Sequence, residues 1–190
     1  IGSGQMVTVE RNLSPFHRIQ VDTATDVEVT IGDRQSAFLT IDDNLLDMLR
    51  TDVSGGTLHV WSDANFMSGG GILKITVPSF DGMEIRGSGD VVVRGLDGGR
   101  FESKILGSGD IGLDGRVDVH DIISLGSGDV EAAGLTARHV GALTLGSGSV
   151  RVDVVDSIDV RIVGSGDLEY SGGNIRNQTN IGSGIVRRVR

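Results

Sequence analysis

Along most of this chain, apolar and polar residues alternate with a period of two, which is typical of β-strands with one buried face. In the second half of the chain this alternation recurs every 18 to 20 residues, and each recurrence contains the tripeptide Gly-Ser-Gly. The six copies are Gly87-Ser88-Gly89, Gly107-Ser108-Gly109, Gly126-Ser127-Gly128, Gly146-Ser147-Gly148, Gly164-Ser165-Gly166 and Gly182-Ser183-Gly184. A further copy lies at Gly2-Ser3-Gly4. Such a period indicates a repeat protein in which each unit is one supersecondary element.

Aligned on the tripeptide, the repeats form columns of aliphatic residues. The second residue after each tripeptide is Val91, Ile111, Val130, Val150, Leu168 and Val186. Two residues further on lie Val93, Leu113, Ala132, Val152 and Tyr170, with Arg188 in the last copy. We expect a following glycine to end this strand at Gly95, Gly115, Gly134 and Gly172. The residue before the tripeptide is apolar at Leu106, Leu125, Leu145, Val163 and Ile181, so each unit is predicted to hold two short strands separated by two glycine-marked corners.

A unit of this size cannot bury an apolar face by itself. Stacked units, however, turn equivalent residues into ladders that form a continuous core. Successive coils would advance by one strand spacing, about 4.8 Å. The sequence therefore predicts an all-β fold, a single-stranded parallel β-helix with coils of 18 to 20 residues punctuated by Gly-Ser-Gly turns.

The tripeptide suits the corner of such a stack. Glycine reaches positive φ without strain, and it tolerates another backbone directly above and below it. The serine can hydrogen-bond its own backbone or the serine of the next coil. We therefore expect all six tripeptides to be structural turns.

An acidic residue follows four of the six tripeptides, at Asp90, Asp110, Asp129 and Asp167, whereas Ser149 and Ile185 follow the other two. In-register stacking would place these aspartates in a ladder about one strand spacing apart. We favour capping of the turn as the role of this ladder. The alternative is that the ladder binds a hard cation such as Ca²⁺. No other metal site is predicted.

The first eighty residues lack the regular repeat but keep the alternation of strands. Residues 42–49 are the exception, because their acidic start and apolar spacing predict a short helical turn. Nearby, Trp61, Phe66 and Met67 form an aromatic-rich spot that we expect to cover one end of the core.

The domain organisation follows from this contrast. We predict one continuous domain over residues 1–190. A weak boundary is expected near 79–86, between the irregular β part of residues 1–80 and the repeat array of residues 81–190.

Two parts of the chain resemble a bacterial family known as the putative auto-transporter adhesin, head GIN domain. One is the repeat array, and the other consists of residues 11–19 (RNLSPFHRI), 26–33 (DVEVTIGD), 43–46 (DNLL) and 56–58 (GTL). The resemblance implies a pectin-lyase-like, right-handed parallel β-helix, export from the cytoplasm, often as a lipoprotein, and a role in adhesion. It implies no catalytic residues.

Composition narrows the classes of partner. The net charge of −9 argues against a nucleic-acid binder, which must neutralise phosphates. After Glu169 the chain has four arginines and no acidic residue, and we interpret this basic end as a solvated terminus that discourages strand pairing. Cysteine is absent and no apolar run reaches the length of a membrane span, about 18 residues.

The four histidines lack the spacing of metal ligands. We therefore predict surface or turn roles for His17, His59, His120 and His139, and we predict no cofactor.

Two functions remain. The first is a non-catalytic, structural or adhesive module outside the cytoplasm, in the periplasm, on the outer membrane as a lipoprotein, or on the cell surface. Its partner would be a protein or a polysaccharide, and self-association is left open. The second is a polysaccharide-binding or Ca²⁺-dependent, lyase-like protein that uses the side of the β-helix, with acids near Arg94, Lys104 and Arg151.

Overall fold

The computed structural model describes residues 2–63 and 70–189, in which the regular structure is β-strand apart from one 3-10 turn. The fourteen strands of this part pair into one sheet that winds into stacked coils. The predicted all-β parallel β-helix is therefore confirmed. Of the predicted aromatic-rich spot, Phe66 and Met67 lie outside the described residues.

The repeat array forms the regular part of the stack. Its strands are β9 (Val91–Ile105), β10 (Ile111–Ser124), β11 (Val130–Thr144), β12 (Val150–Gly164), β13 (Leu168–Gly182) and β14 (Val186–Arg188). Each strand is parallel to the next. Val91 pairs with Ile111, which pairs with Val130, and the ladder of equivalent residues continues to Val186 as predicted.

Each coil of the array is one long bent strand rather than the two short strands expected. Strands β9, β11 and β12 each contain 15 residues. Gly95 and Gly115 do not end a strand but lie inside one, with φ values of 76° and 124°, and the register shifts between Leu113 and Gly115. The strand bends at this irregularity, and the parallel ladder resumes beyond it.

The N-terminal part contributes two coils in an order that differs from the sequence. Its strands are β1 (Met6–Glu10), β2 (Arg18–Val21), β3 (Asp26–Ile31), β4 (Ser36–Asp42), β5 (Leu49–Ser54), β6 (Thr57–Ser62), β7 (Ile72–Val77) and β8 (Gly82–Ile85). Strand β2 pairs in parallel with both β6 and β8, and β3 pairs in parallel with both β7 and β9. The coil of β2 and β3 is thus enclosed between the coil of β6 and β7 and the coil that begins with β8.

Antiparallel strands cover the N-terminal end of the stack. Strand β4 pairs with β7, β1 pairs with β4, and β5 pairs with β6, all antiparallel. The predicted helical turn is a single 3-10 turn, Asp43–Leu45, whose Leu45 is buried. Trp61 lies half-buried on β6, opposite Arg50 of β5.

The C-terminal end of the stack is covered by polar side chains rather than by antiparallel strands. Aliphatic residues fill most of the inward positions of the coils, but the partner of Val160 in the last full coil is Gln178 and that of Ile162 is Asn180. Gln178 and Asn180 are exposed. Polar side chains thus end the core where no further coil is stacked.

Candidate interaction face

At the Gly-Ser-Gly corners, backbone stacks directly on backbone. A Cβ added to Gly109 would lie 2.1 Å from the carbonyl oxygen of Gly89, and one added to Gly128 would lie 2.0 Å from that of Gly109. Positive φ occurs in the array tripeptides only at Gly164 and Gly182. The expectation that glycine supplies positive φ is thus wrong for most copies, because the requirement comes from the close approach of the next coil.

The serines take part in the corner through their backbones. The N–H of Ser108 donates to the carbonyl oxygen of Gly87 at 3.0 Å, and the N–H of Ser127 donates to that of Gly107 at 3.1 Å. The serine residues are exposed at the outside of the corner.

The aspartate ladder also links the coils. Oδ1 of Asp90 accepts the backbone N–H of Asp110 at 2.8 Å, and Oδ1 of Asp110 accepts that of Asp129 at 2.7 Å. Asp129 accepts the N–H of Ser149 at 2.6 Å, and Asp167 that of Ile185 at 2.8 Å. One oxygen of each aspartate is therefore bonded to the backbone of the neighbouring coil.

Sequence reasoning missed one member of this ladder. Asp26 accepts the N–H of Asp90 at 2.9 Å, so it occupies the equivalent place in the N-terminal coil. The signal was the segment 23–26, Thr-Ala-Thr-Asp, which replaces Gly-Ser-Gly-Asp. Among residues 2–63 and 70–189, no group of three or more His, Cys, Asp or Glu side chains is arranged to hold a metal ion.

The basic residues named for a lyase do not pair with this ladder. Arg151 is hydrogen-bonded to Glu131 at 2.6 Å and to Glu169 at 3.1 Å, and Arg187 continues this alternating ion-pair row. Hydrogen bonds from Arg187 and Arg151 hold the pKa of Glu169 below its ordinary value. Lys104 pairs instead with Glu84 at 3.2 Å, in another part of the coil.

One histidine is not on the surface as predicted. His120 is buried in the core, where its Nε2 lies 2.8 Å from Ser103 Oγ. Burial lowers the pKa of His120 to about 3, because the charged imidazolium would lose its hydration. His120 is therefore a neutral core residue, and its place in an alternating strand was the only signal of its burial in the sequence.

A second part of each coil forms what we call the outer face, made by the outward side chains of β8, of the C-terminal parts of β9 to β13, and of the residue that directly follows each of β9, β10 and β11. Two columns of this face contain charged residues together with uncharged ones. The first contains Glu102, Asp121, Gly141, Asp159 and Asn177. The second contains Lys104, Ile123, Leu143, Arg161 and Thr179.

All members of these two columns except Lys104 line a groove of about 560 Å³, which crosses the coils of β9 to β13. Gly141 contributes no side chain between Asp121 and Asp159, which leaves space at the centre of the groove. Hydrogen bonds from Arg176 and Asn177 hold the pKa of Asp159 below its ordinary value. Arg161 forms no ion pair with any residue in the described part of the chain.

A third column of the outer face is an aliphatic stripe. Its members are Leu106, Leu125, Leu145, Val163 and Ile181. The leucines are 41%, 42% and 46% exposed, and Ile181 is 58% exposed. These residues, which the sequence alignment placed in a second strand of each coil, point to solvent, and their neighbours Ile105, Ser124 and Thr144 point inward.

The stacked coils define the molecule as a β-solenoid with an exposed lateral face. The chain belongs to the putative auto-transporter adhesin, head GIN domain family, whose model matches residues 15–174. The family points to an adhesin-like protein that acts at the cell surface or otherwise outside the cytoplasm. Within residues 2–63 and 70–189, no helix is long and apolar enough to cross a membrane.

Solved structures show the same fold. A putative adhesin from Bacteroides fragilis is 24% identical with a TM-score of 0.78, and the match covers 98% of each chain. A putative lipid binding protein from Parabacteroides distasonis is 24% identical with a TM-score of 0.59, over 100% of this chain and 98% of that one. A putative adhesin from Parabacteroides merdae is 18% identical with a TM-score of 0.61, over the same shares. No protein with a curated description matches the chain.

Proposed function

We propose that this protein is a non-catalytic adhesive module of the bacterial cell surface and that its outer face is the contact surface. The observation that carries the proposal is the combination of the groove and the aliphatic stripe on one sheet. Exposed, contiguous apolar surface of this kind marks interaction sites in soluble proteins. The opposite charges of the groove add specificity to such a contact.

The family supports this role, because its description is that of an adhesin. Export from the cytoplasm, and attachment to the outer membrane as a lipoprotein, belong to the same proposal. We also propose that residues 1–190 act as one domain, since β9 pairs with both β3 and β8 and so joins the two parts of the chain. A single cooperative unfolding transition would support this domain assignment, whereas two separate transitions would contradict it.

The adhesive role is testable with beads that carry the purified chain. Attachment is measured to immobilised collagen, to neutral and uronic-acid polysaccharides, and to beads that carry the same chain. Gly141→Trp fills the groove, and we expect it to lower attachment at least tenfold where the wild-type chain attaches. Matched controls are Val155→Asp, at an exposed residue outside the outer face, and Asp110→Asn, in the aspartate ladder.

Both controls should attach like the wild-type chain. Attachment that survives Gly141→Trp but is lost in Asp110→Asn would contradict the proposal, because it would move the contact surface to the corner of the coil. If the wild-type chain attaches to none of these surfaces, the result would contradict the adhesive role itself.

Polysaccharide binding is a second candidate, favoured by the polar groups of the groove. The Asn177 amide donates to Asp159 Oδ1 at 2.6 Å, Arg161 is unpaired within the described chain, and Ile123 and Leu143 provide an apolar floor. Carboxylates, amides and guanidinium groups hydrogen-bond hydroxyl groups, and aliphatic side chains pack on the C–H faces of sugars. Calorimetric titration with neutral and acidic polysaccharides, with and without Ca²⁺, tests it, and an absence of heat in all titrations would reject it.

A further inference from the structure

The carboxylates of the groove are already neutralised by arginines. Three carboxylates line the groove, and each is bonded to an arginine: Glu102 to Arg18 at 2.5 Å, Asp121 to Arg100 at 2.6 Å, and Asp159 to Arg176. Lys104, just outside the groove, is bonded to Glu84 at 3.2 Å. The acids therefore do not leave the groove with a net negative charge.

Arg161 is the cation of the groove that remains without a counter-charge. It is exposed between Leu143 and Thr179 of its column, and it forms no ion pair within residues 2–63 and 70–189. Because the three pairs cancel, its single positive charge is uncompensated, although the chain as a whole carries a charge of −9. A guanidinium group binds a carboxylate through two parallel hydrogen bonds, so Arg161 suits an acidic ligand.

An unused hydrogen-bond acceptor lies beside the central gap of the groove. Asp121 uses its Oδ2 to accept from Arg100, and its Oδ1 accepts no hydrogen bond from the described part of the chain. A Cβ added to Gly141 would lie 3.1 Å from this Oδ1, so the oxygen faces the space over the glycine. A ligand group in that space would have to donate a hydrogen bond, as a hydroxyl group does.

These two groups together define the chemistry of the ligand. Asp121 lies on β10 and Arg161 on β12, two strand spacings or about 9.6 Å apart along the stack. A ligand that reaches both must carry hydroxyl donors as well as an anionic acceptor. Uronic-acid sugars carry both, whereas a fatty acid lacks the hydroxyl donors. Ile123 and Leu143 provide apolar surface for the C–H faces of the sugar rings.

A peptide suits this groove less well than a polysaccharide. The groove lies on the face of the sheet, where β10, β11 and β12 are each paired with a strand on both sides. Their backbone groups are used within the sheet, so a peptide cannot add to them as a further strand. It would contact the groove through side chains alone, whereas a polysaccharide presents hydroxyl groups along its whole length.

We propose that the groove binds acidic polysaccharides, with the Arg161 guanidinium donating to a uronate carboxylate and Asp121 Oδ1 accepting from a sugar hydroxyl. The proposal rests on the proposed function, because it names the ligand of the same face. Binding needs no Ca²⁺, since the carboxylates of the groove are bonded to arginines. It weakens as the salt concentration rises, because the ion pair with Arg161 is exposed.

Calorimetric titration of the full chain with polygalacturonate and with its methyl ester tests the proposal. The two polymers have the same hydroxyl groups and differ in the charge of the carboxyl group. We expect the acid to bind roughly tenfold more tightly than the ester at low salt, with or without EDTA. Arg161→Gln should weaken binding of polygalacturonate roughly tenfold and leave binding of the ester unchanged.

Arg116→Gln is the matched control. Arg116 is exposed outside the outer face, and it also forms no ion pair among the described residues. Both substitutions remove one positive charge, so a general attraction between the chain and a polyanion would change equally in the two variants. Arg116→Gln should instead bind polygalacturonate like the wild-type chain. Arg161→Lys keeps the charge without the planar fork and should retain part of the preference for the acid. Circular dichroism of each variant checks that the β-fold is retained.

Equal affinity for the acid and the ester would overturn the proposal, and so would equal losses in Arg161→Gln and Arg116→Gln. Binding that EDTA abolishes would overturn it as well, by assigning recognition to a bridging cation. A wild-type chain that binds neither polymer would also overturn it. If that chain still attaches to collagen or to beads that carry the same chain, and Gly141→Trp lowers this attachment, the adhesive function stands and only the ligand of the groove is wrong.

Discussion

The two corners of each coil follow different rules. At the Gly-Ser-Gly corner, a Cβ added to Gly146 would lie 1.7 Å from the carbonyl oxygen of Gly126. At the opposite corner, which we call the variable corner, a Cβ added to Gly98 or Gly99 would have no atom within 4 Å. The ladder register also shifts near the variable corner, for example between Leu113 and Gly115. Close backbone contact occurs at the variable corner only at scattered positions such as Gly115, where an added Cβ would lie 2.1 Å from the carbonyl oxygen of Leu96. A repeat is therefore strict where every coil packs backbone on backbone at the same position, and it varies where only some coils do.

Glycine-to-alanine substitutions should show the largest difference in stability effect between the two corners. Gly128→Ala should lower the free energy of unfolding by more than about 4 kcal/mol, because its Cβ would lie 2.0 Å from a rigid carbonyl oxygen of the next coil. Gly98→Ala should change it by less than about 0.5 kcal/mol, since its site is open. Chemical denaturation measures both values. Equal effects at the two positions would show that the corners do not differ as described.

The core beside the variable corner contains a buried histidine, His120, which should make the stability of the fold depend on pH. The pKa of His120 falls to about 3 in the folded protein, so the unfolded chain binds a proton at a higher pH than the folded chain does. Stability should be full above the ordinary pKa of histidine, about 6.5, and be lost progressively as the pH falls toward 3. At pH 5 the contribution of His120 amounts to a loss of about 2 kcal/mol relative to pH 7.

The double variant Ser103→Ala/His120→Leu is the control for this dependence. It removes the imidazole together with its hydrogen-bond partner, and it should flatten the stability profile between pH 7 and pH 5. Denaturation curves at each pH measure the slope. A slope unchanged by the double variant would show that His120 does not remain neutral in the folded core.

The aspartate ladder should contribute a smaller, local amount beside the strict corner. Asp110→Ala leaves the N–H of Asp129 without its acceptor, and we expect a loss of about 1 kcal/mol in unfolding free energy. Asp110→Asn keeps an acceptor oxygen and should recover most of this loss. Asp97→Ala, at an exposed aspartate of the variable corner, is the control and should be neutral. If Asp97→Ala costs as much as Asp110→Ala, the ladder bond carries no specific stabilisation.

The same difference between corners explains what could be predicted from the sequence. The tripeptides and the column from Val91 to Val186 repeat strictly, so the parallel stack and its register were predictable. The variable corner has no fixed spacing, and its glycines were wrongly expected to end strands. The insertion of the coil of β2 and β3 between two later coils depends on long-range pairing, which no local pattern reports.

The contact face was harder to predict. An alternating strand shows which residues share a side, but Ile123 and Leu125 are apolar and outward while Ser124 is polar and inward. The apolar residue before each tripeptide was therefore placed in a strand without its exposure being recognised. The groove depends on columns of residues from five coils, and its central gap comes from the absence of a side chain at Gly141. Only the stacked structure brings these residues together.

The smallest expected effect concerns the exposed ion-pair row, which lies close to the strict corner but is surrounded by solvent. Arg151→Ala removes the contacts to Glu131 and Glu169, yet it should destabilise the fold less than Asp110→Ala does, because exposed ion pairs gain little over hydration. The difference between Arg151→Ala and the wild-type chain should also vanish in about 1 M salt, where the screening length is about 3 Å. Thermal unfolding at low and high salt measures it, with Arg138→Ala, from the ion pair with Asp156, as the matched control. A large, salt-independent loss of stability in Arg151→Ala would mean that side chains around the Gly-Ser-Gly corner also fix its structure. The difference between the two corners would then depend on side-chain contacts as well as on backbone contacts.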